Sequence, residues 1–92
     1  MAVGLACLVL LATIPYVYWD RFAPPSVTVL DVGQADAILI RQGSALALVD
    51  CGLDARVVAA LVRNNVHHID AVFVTHWDED HWGGLPAVLE QF

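Results

Sequence analysis

The stretch Thr75-His76-Trp77-Asp78-Glu79-Asp80-His81 sets two imidazoles and three carboxylates within six consecutive positions, His76 to His81. Donors this dense have one natural chemical use, which is to hold divalent cations. Alternate residues His76 and Asp78 project to one side of an extended loop and can share one ion. Asp80 and His81, after a turn, can reach a second. Two ions about 3.5 to 4 Å apart draw a nucleophile from water and stabilise a leaving oxygen, which is the chemistry of a two-metal hydrolase. Asp80 takes the catalytic part in this reading, holding the second cation where charge develops. Two plainer readings stand beside it. One is a solvated acidic turn, in which the carboxylates would repel one another. The other is a single stapling ion, although structural zinc prefers thiolates and closed tetrahedral sites, which this loop does not offer.

The loop needs elements to aim it. Ala71 to Val74 is an apolar run too short for a helix between its polar flanks, and it reads as a buried strand leading into Thr75-His76. Val27 to Val32, Ala37 to Arg41 and Ala45 to Asp50 are β-rich runs broken by Gly33-Gln34 and Gln42-Gly43-Ser44, a spacing that predicts a meander. The period changes over Leu53 to Asn65. Asp54 is placed to cap a helix there, Val57, Val58, Leu61 and Val62 share one face, and Arg56 and Arg63 lie opposite. Gly83-Gly84 then release the chain into a helix from Leu85 to Phe92. Cys51 reads as a small buried side chain rather than a ligand or nucleophile. His67 and His68 fall on an exposed connection, Glu79 faces solvent, and Trp77 and Trp82 wall the loop.

Composition divides the 92 residues in two. The apolar fraction is 59% and the net charge −6, with four arginines, no lysine, and every charge at or beyond Asp20. Mean hydropathy is +0.65. No basic nucleic-acid face exists, but bound cations can invert the local field of clustered carboxylates, so acidity does not exclude a phosphate-bearing substrate. Ala2 to Trp19 is uncharged and as a helix would be roughly 27 Å long, enough to span a bilayer core. Tyr16, Tyr18 and Trp19 before Asp20 resemble an interfacial aromatic belt. A cleaved secretory signal is the alternative, against which stand the absent basic n-region and cleavage site. The expected organisation is a transmembrane helix over 1–22, a proline-stiffened linker over 23–26 and a folded region over 27–92.

His76, Asp78, Asp80 and His81 match the metal motif of the metallo-β-lactamase fold, with aspartate where most members carry a second histidine. With Asp31-Val32-Gly33-Gln34, Asp36 to Ile40, Leu48 to Gly52 and Ile69-Asp70, the chain from Val27 onward resembles the C-terminal domain of ComEC-type competence proteins. Ala35 departs from that pattern, standing where it has glycine. The resemblance implies an α/β chain forming the N-terminal part of an αββα sandwich. Two divalent ions, zinc or manganese, would be shared between His76 with Asp78 and Asp80 with His81. Further ligands, a third histidine and a bridging aspartate, would lie beyond Phe92, leaving this chain inactive alone. Asp50 would accept hydrogen bonds that fix the metal loop, or else merely end its strand. Asp31, Gln34 and Asp36 would line the substrate rim, or form an exposed turn.

It also implies a nuclease acting on DNA during uptake, with membrane lipid and other competence proteins as partners and the domain on the extracytoplasmic side of the cell membrane. The enzymatic alternative is a membrane-anchored hydrolase of small esters or lactams. The nonenzymatic one is a channel accessory domain.

Overall fold

A computed structural model describes residues 6–11, 13 and 24–92. The expected membrane segment lies mostly outside them. Of its described residues, 6–11 and 13 are helical, and Leu8, Val9, Leu10 and Leu11 are exposed. Among the described residues no helix is long and apolar enough to cross a membrane.

The folded part is mixed α/β. In chain order it runs β1 (Ser26–Val29), β2 (Ile38–Gln42), β3 (Ala45–Val49), α1 (Arg56–Arg63), β4 (Ala71–Phe73), α2 (Glu79–Trp82) and α3 (Leu85–Gln91). The strands form one sheet in the order β1-β2-β3-β4. Antiparallel pairing sets Val27 against Ile40 and Leu39 against Leu48, giving the expected meander. β4 pairs parallel to β3, Leu48 against Val72, and a parallel pair needs a crossover, which α1 supplies. Ser26, read as the last linker residue, instead begins β1 opposite Arg41.

One sheet face packs under α1 and α3. Its core joins Leu39, Leu46 and Leu48 to Val57, Ala60 and Leu61 of α1 and Val88 of α3. Val62 departs from the expected face and is 61% exposed, because Ala60 takes the inward position between Val57 and Leu61. α1 starts later than expected, with Ala55 at its N-cap. The Asp54 carboxylate, one residue before that N-cap, accepts from the backbone N–H of Arg56, the first residue of the helix, and from its Nε, both at 3.0 Å, and so serves the first turn. The opposite sheet face is also apolar, with Val27, Val29, Ile40 and Phe73 exposed. A sheet apolar on both faces has the composition of one buried on both.

Candidate metal centre

The topology gathers the chemistry at one end of the sheet. Asp50 follows β3 and His76 follows β4, at the carboxyl ends of two parallel strands, while Asp36 precedes β2, which runs the other way. Backbone hydrogen bonds stitch these segments together. Asp36 N–H donates to the Asp80 carbonyl at 3.1 Å, Cys51 N–H to His81 at 2.7 Å, and Gly52 N–H to Asp36 at 2.9 Å.

The loop itself is not wholly extended. Glu79–Trp82 form a single helical turn with Asp78, φ −82° and ψ 146°, at its N-cap. Glu79 and Asp80 in the first turn and His81 in the last complement the helix dipole, which is why this polar run winds. Gly83 and Gly84 do more than release the chain. A Cβ on Gly83 would collide with the Leu53 carbonyl, and one on Gly84 would come within 2.6 Å of the Asp54 carbonyl oxygen and 2.7 Å of Val57 Cγ1. Their bareness lets α2 and α3 press onto the loop after β3.

Asp50 is the buried hub, 4% exposed, in the left-handed region at φ 62°, which aspartate tolerates better than most residues. Its Oδ1 accepts from Thr75 N–H at 2.8 Å. Its Oδ2 accepts from the Thr75 hydroxyl at 2.7 Å and from His81 Nδ1 at 2.9 Å. Burial alone would raise the Asp50 carboxyl, but the Thr75 and His81 hydrogen bonds outweigh it and hold it below the usual carboxylate range. An ionised carboxylate only accepts, so His81 Nδ1 carries a hydrogen and neutral His81 presents the Nε2 lone pair. Thr75 spends its one hydroxyl hydrogen on Asp50 and can only accept from His76 Nδ1, 3.1 Å away. The same tautomer follows for His76.

His81 Nε2 faces Asp36 Oδ2 and Asp80 Oδ1, each at 3.6 Å. Ligand atoms of these three residues lie within 4.8 Å of one another. The hydrogen bond to Asp50 raises the His81 pKa; partial burial opposes this, and the charges of Asp80, Asp50 and Asp36 add to it. One imidazole lone pair and two carboxylates form a donor set that fits a divalent cation of borderline to hard character.

The other residues singled out from the sequence lie around this group. The His76 ring centroid is 5.0 Å from that of His81, and Asp78 is exposed with no side-chain hydrogen bond to the helix it precedes. Asp80 and His81 are thus brought together, whereas neither His76 nor Asp78 is in the convergent group. Asp31 and Gln34 are exposed on the turn before β2. Ala35 avoids positive φ, so glycine is not required there. Trp77 is 81% exposed, and its carbonyl accepts from Trp82 Nε1 at 3.0 Å. His67 and His68 are exposed, and His68 Nε2 lies 3.1 Å from the Ser44 carbonyl. Sequence reasoning assigned no part to Thr75, whose hydroxyl links Asp50 to His76. A hydroxyl residue directly before a candidate ligand histidine was the available signal.

The family model described as the metallo-beta-lactamase superfamily matches residues 30–92. The chain is 40% identical over 47 residues to the anti-Pycsar protein Apyc1 of Paenibacillus sp. (strain J14), covering 51% of this chain and 19% of that protein. It is 38% identical over 53 residues to ribonuclease Z of Clostridium tetani (strain Massachusetts / E88), covering 58% and 17%. It is 36% identical over 67 residues to the competence protein ComA of Neisseria gonorrhoeae, covering 68% and 10%. The chain therefore spans less than a fifth of the length of each of these relatives. No solved structure matches it.

Proposed function

The chain belongs to the metallo-beta-lactamase superfamily, and from that premise we propose that it carries the first half of a two-metal phosphodiesterase site in a membrane DNA-uptake protein of the ComEC type. Members of the superfamily are typically hydrolases that bind divalent metals. The observation that carries the reading is the convergence of Asp36, Asp80 and His81 on the loop that the sequence marks as a metal motif. Similarity to proteins named as a ribonuclease and as a competence protein favours nucleic acid over a small ester or lactam.

In this reading His76 and Asp78 serve one ion, Asp80 and His81 the other. When bound, the pair supplies Lewis-acid polarisation and a nucleophile from water. The chain's own residues do the holding. Asp50 fixes the His81 tautomer directly and that of His76 through Thr75, while Asp31 and Gln34 border the substrate. Zinc and manganese are both candidates, and oxygen in place of nitrogen at Asp78 favours manganese. The apolar outer face of the sheet, with Val29 and Phe73, is where the second layer of an αββα sandwich would pack. The exposed apolar helical residues Leu8 to Leu11 suit a membrane anchor, with the domain on the extracytoplasmic side and other competence proteins as neighbours.

The test is metal-dependent cleavage of single- and double-stranded DNA by the intact protein that carries this chain, with a lactam and a small ester as competing substrates. Cleavage of DNA in preference to both supports the reading. Hydrolysis of the small substrates with DNA untouched would replace it with the ester or lactam alternative, and no hydrolysis of any would leave the accessory-domain alternative.

A further inference from the structure

Asp36 lies more than forty positions before Asp80 in the chain, yet its backbone is tied to the metal loop on one side and to the loop after β3 on the other. Its N–H donates to the Asp80 carbonyl at 3.1 Å, and its carbonyl accepts from Gly52 N–H at 2.9 Å. Pinned in this way, it holds its carboxylate 3.6 Å from His81 Nε2, the same distance at which Asp80 Oδ1 stands. His81 cannot turn this nitrogen away, because Nδ1 is engaged by the buried Asp50 at 2.9 Å.

The spacing is near that of ligands around one ion, the three ligand atoms lying within 4.8 Å of one another. With bonds of about 2.1 Å, adjacent ligand atoms in an octahedron are about 3.0 Å apart and opposite ones about 4.2 Å. The 3.6 Å separations lie between these limits. Small side-chain rotations would bring all three atoms onto one cation.

We propose that Asp36 is a third protein ligand to the cation held by Asp80 and His81, and that it biases this position toward oxygen-preferring ions such as Mn2+ over Zn2+. The proposal rests on the metal-hydrolase reading above. It makes the set two oxygens and one nitrogen, and added carboxylate favours harder ions where a second imidazole would favour zinc. The competing role for Asp36 is as a plain ion-pair partner of protonated His81. The two differ in sign, since a mere ion-pair partner competes with the metal for His81, and removing it would leave binding unchanged or stronger.

The experiment titrates Mn2+ into the intact protein that carries this chain and counts free ion by its EPR signal. Zn2+ follows by competition. Wild type is compared with Asp36→Asn, Asp36→Glu and Asp80→Asn, each checked by circular dichroism. Asp36→Asn is expected to weaken Mn2+ at least about 10-fold and Zn2+ less, with Asp36→Glu recovering part of the loss. Weakening by Asp80→Asn with Asp36→Asn unchanged or tighter would overturn the proposal and leave the metal site standing. Absence of wild-type binding, or indifference to Asp80→Asn, would overturn the site reading and this proposal with it.

Discussion

Replacing Asp50 by asparagine keeps the side-chain shape but removes the charge and one acceptor. The carboxylate now accepts three hydrogen bonds, two from Thr75 and one from His81. If the amide oxygen takes the Oδ1 place, Thr75 N–H is satisfied, but the amide NH2 faces the Thr75 hydroxyl and His81 Nδ1. The hydroxyl must reverse, and His81 must move its hydrogen to Nε2, the nitrogen needed for metal. If the amide is flipped, NH2 meets Thr75 N–H, donor against donor. Hydrogen bonds to a charged group contribute about 1.5 to 3 kcal/mol and neutral ones about 0.5 to 1.5, so the two Thr75 bonds alone make the change cost about 2 to 3 kcal/mol. In a domain this small that lowers Tm by about 10 to 20 °C, and metal affinity should fall about 10- to 100-fold. The variant also has a pH signature in the metal-free protein. The Asp50 pKa is lowered by folding, so its contribution is present above the ordinary value of 3.8 and lost as pH falls through the folded value. The His81 pKa is raised, so its contribution is present below 6.5 and lost as pH rises through the folded value. Wild-type stability should therefore peak between these pH values, and the profile should flatten in Asp50→Asn. Thermal denaturation from pH 3 to 9 in a chelator, with calorimetric metal titration, measures both effects. A Tm within about 3 °C of wild type and unchanged metal affinity would refute the hub role.

Burial, with the Asp50 charge adding to it, pushes the Cys51 thiol from its ordinary 9.0 up to about 11, which cuts its thiolate fraction near pH 8 about 100-fold. Iodoacetamide should therefore label Cys51 only on unfolding, and rapid labelling of the folded chain would contradict its burial. Gly84→Ala should disrupt the packing of α3 on the loop after β3 and lower Tm sharply, because the added methyl meets the Cys51 and Asp54 carbonyls; an unchanged melt would show that the contact yields. Carbonate extraction should leave the mature protein in the membrane fraction, and soluble protein lacking its N-terminus would refute the anchor.

The meander was legible because Gly33-Gln34 and Gln42-Gly43-Ser44 break alternating β-rich runs, and α1 because Val57 and Leu61 recur at helical spacing. Its edges were not. Val62 fits the apolar stripe by period alone, and only the packed sheet decides that Ala60 faces inward. The helical turn of α2 was hidden, since Glu79 to Trp82 has no apolar periodicity and only its charges complement the helix dipole. The density of candidate ligands from His76 to His81 is visible without any fold. The approach of Asp36 to His81 is a long-range contact made by three backbone hydrogen bonds between loops, and no local pattern encodes it. The same holds for the part of Thr75, which depends on Asp50 standing at left-handed φ beside it.

On the proposed reading Asp80 is where metal holding and catalysis meet, so its loss gives the most direct measurement. Intact protein and its Asp80→Ala variant, matched in fold by circular dichroism, would be assayed for DNA cleavage across a manganese and zinc titration. A two-metal hydrolase should lose cleavage in the variant at every metal concentration, because the ion beside the developing charge is gone. Cleavage by Asp80→Ala at the wild-type rate would contradict it.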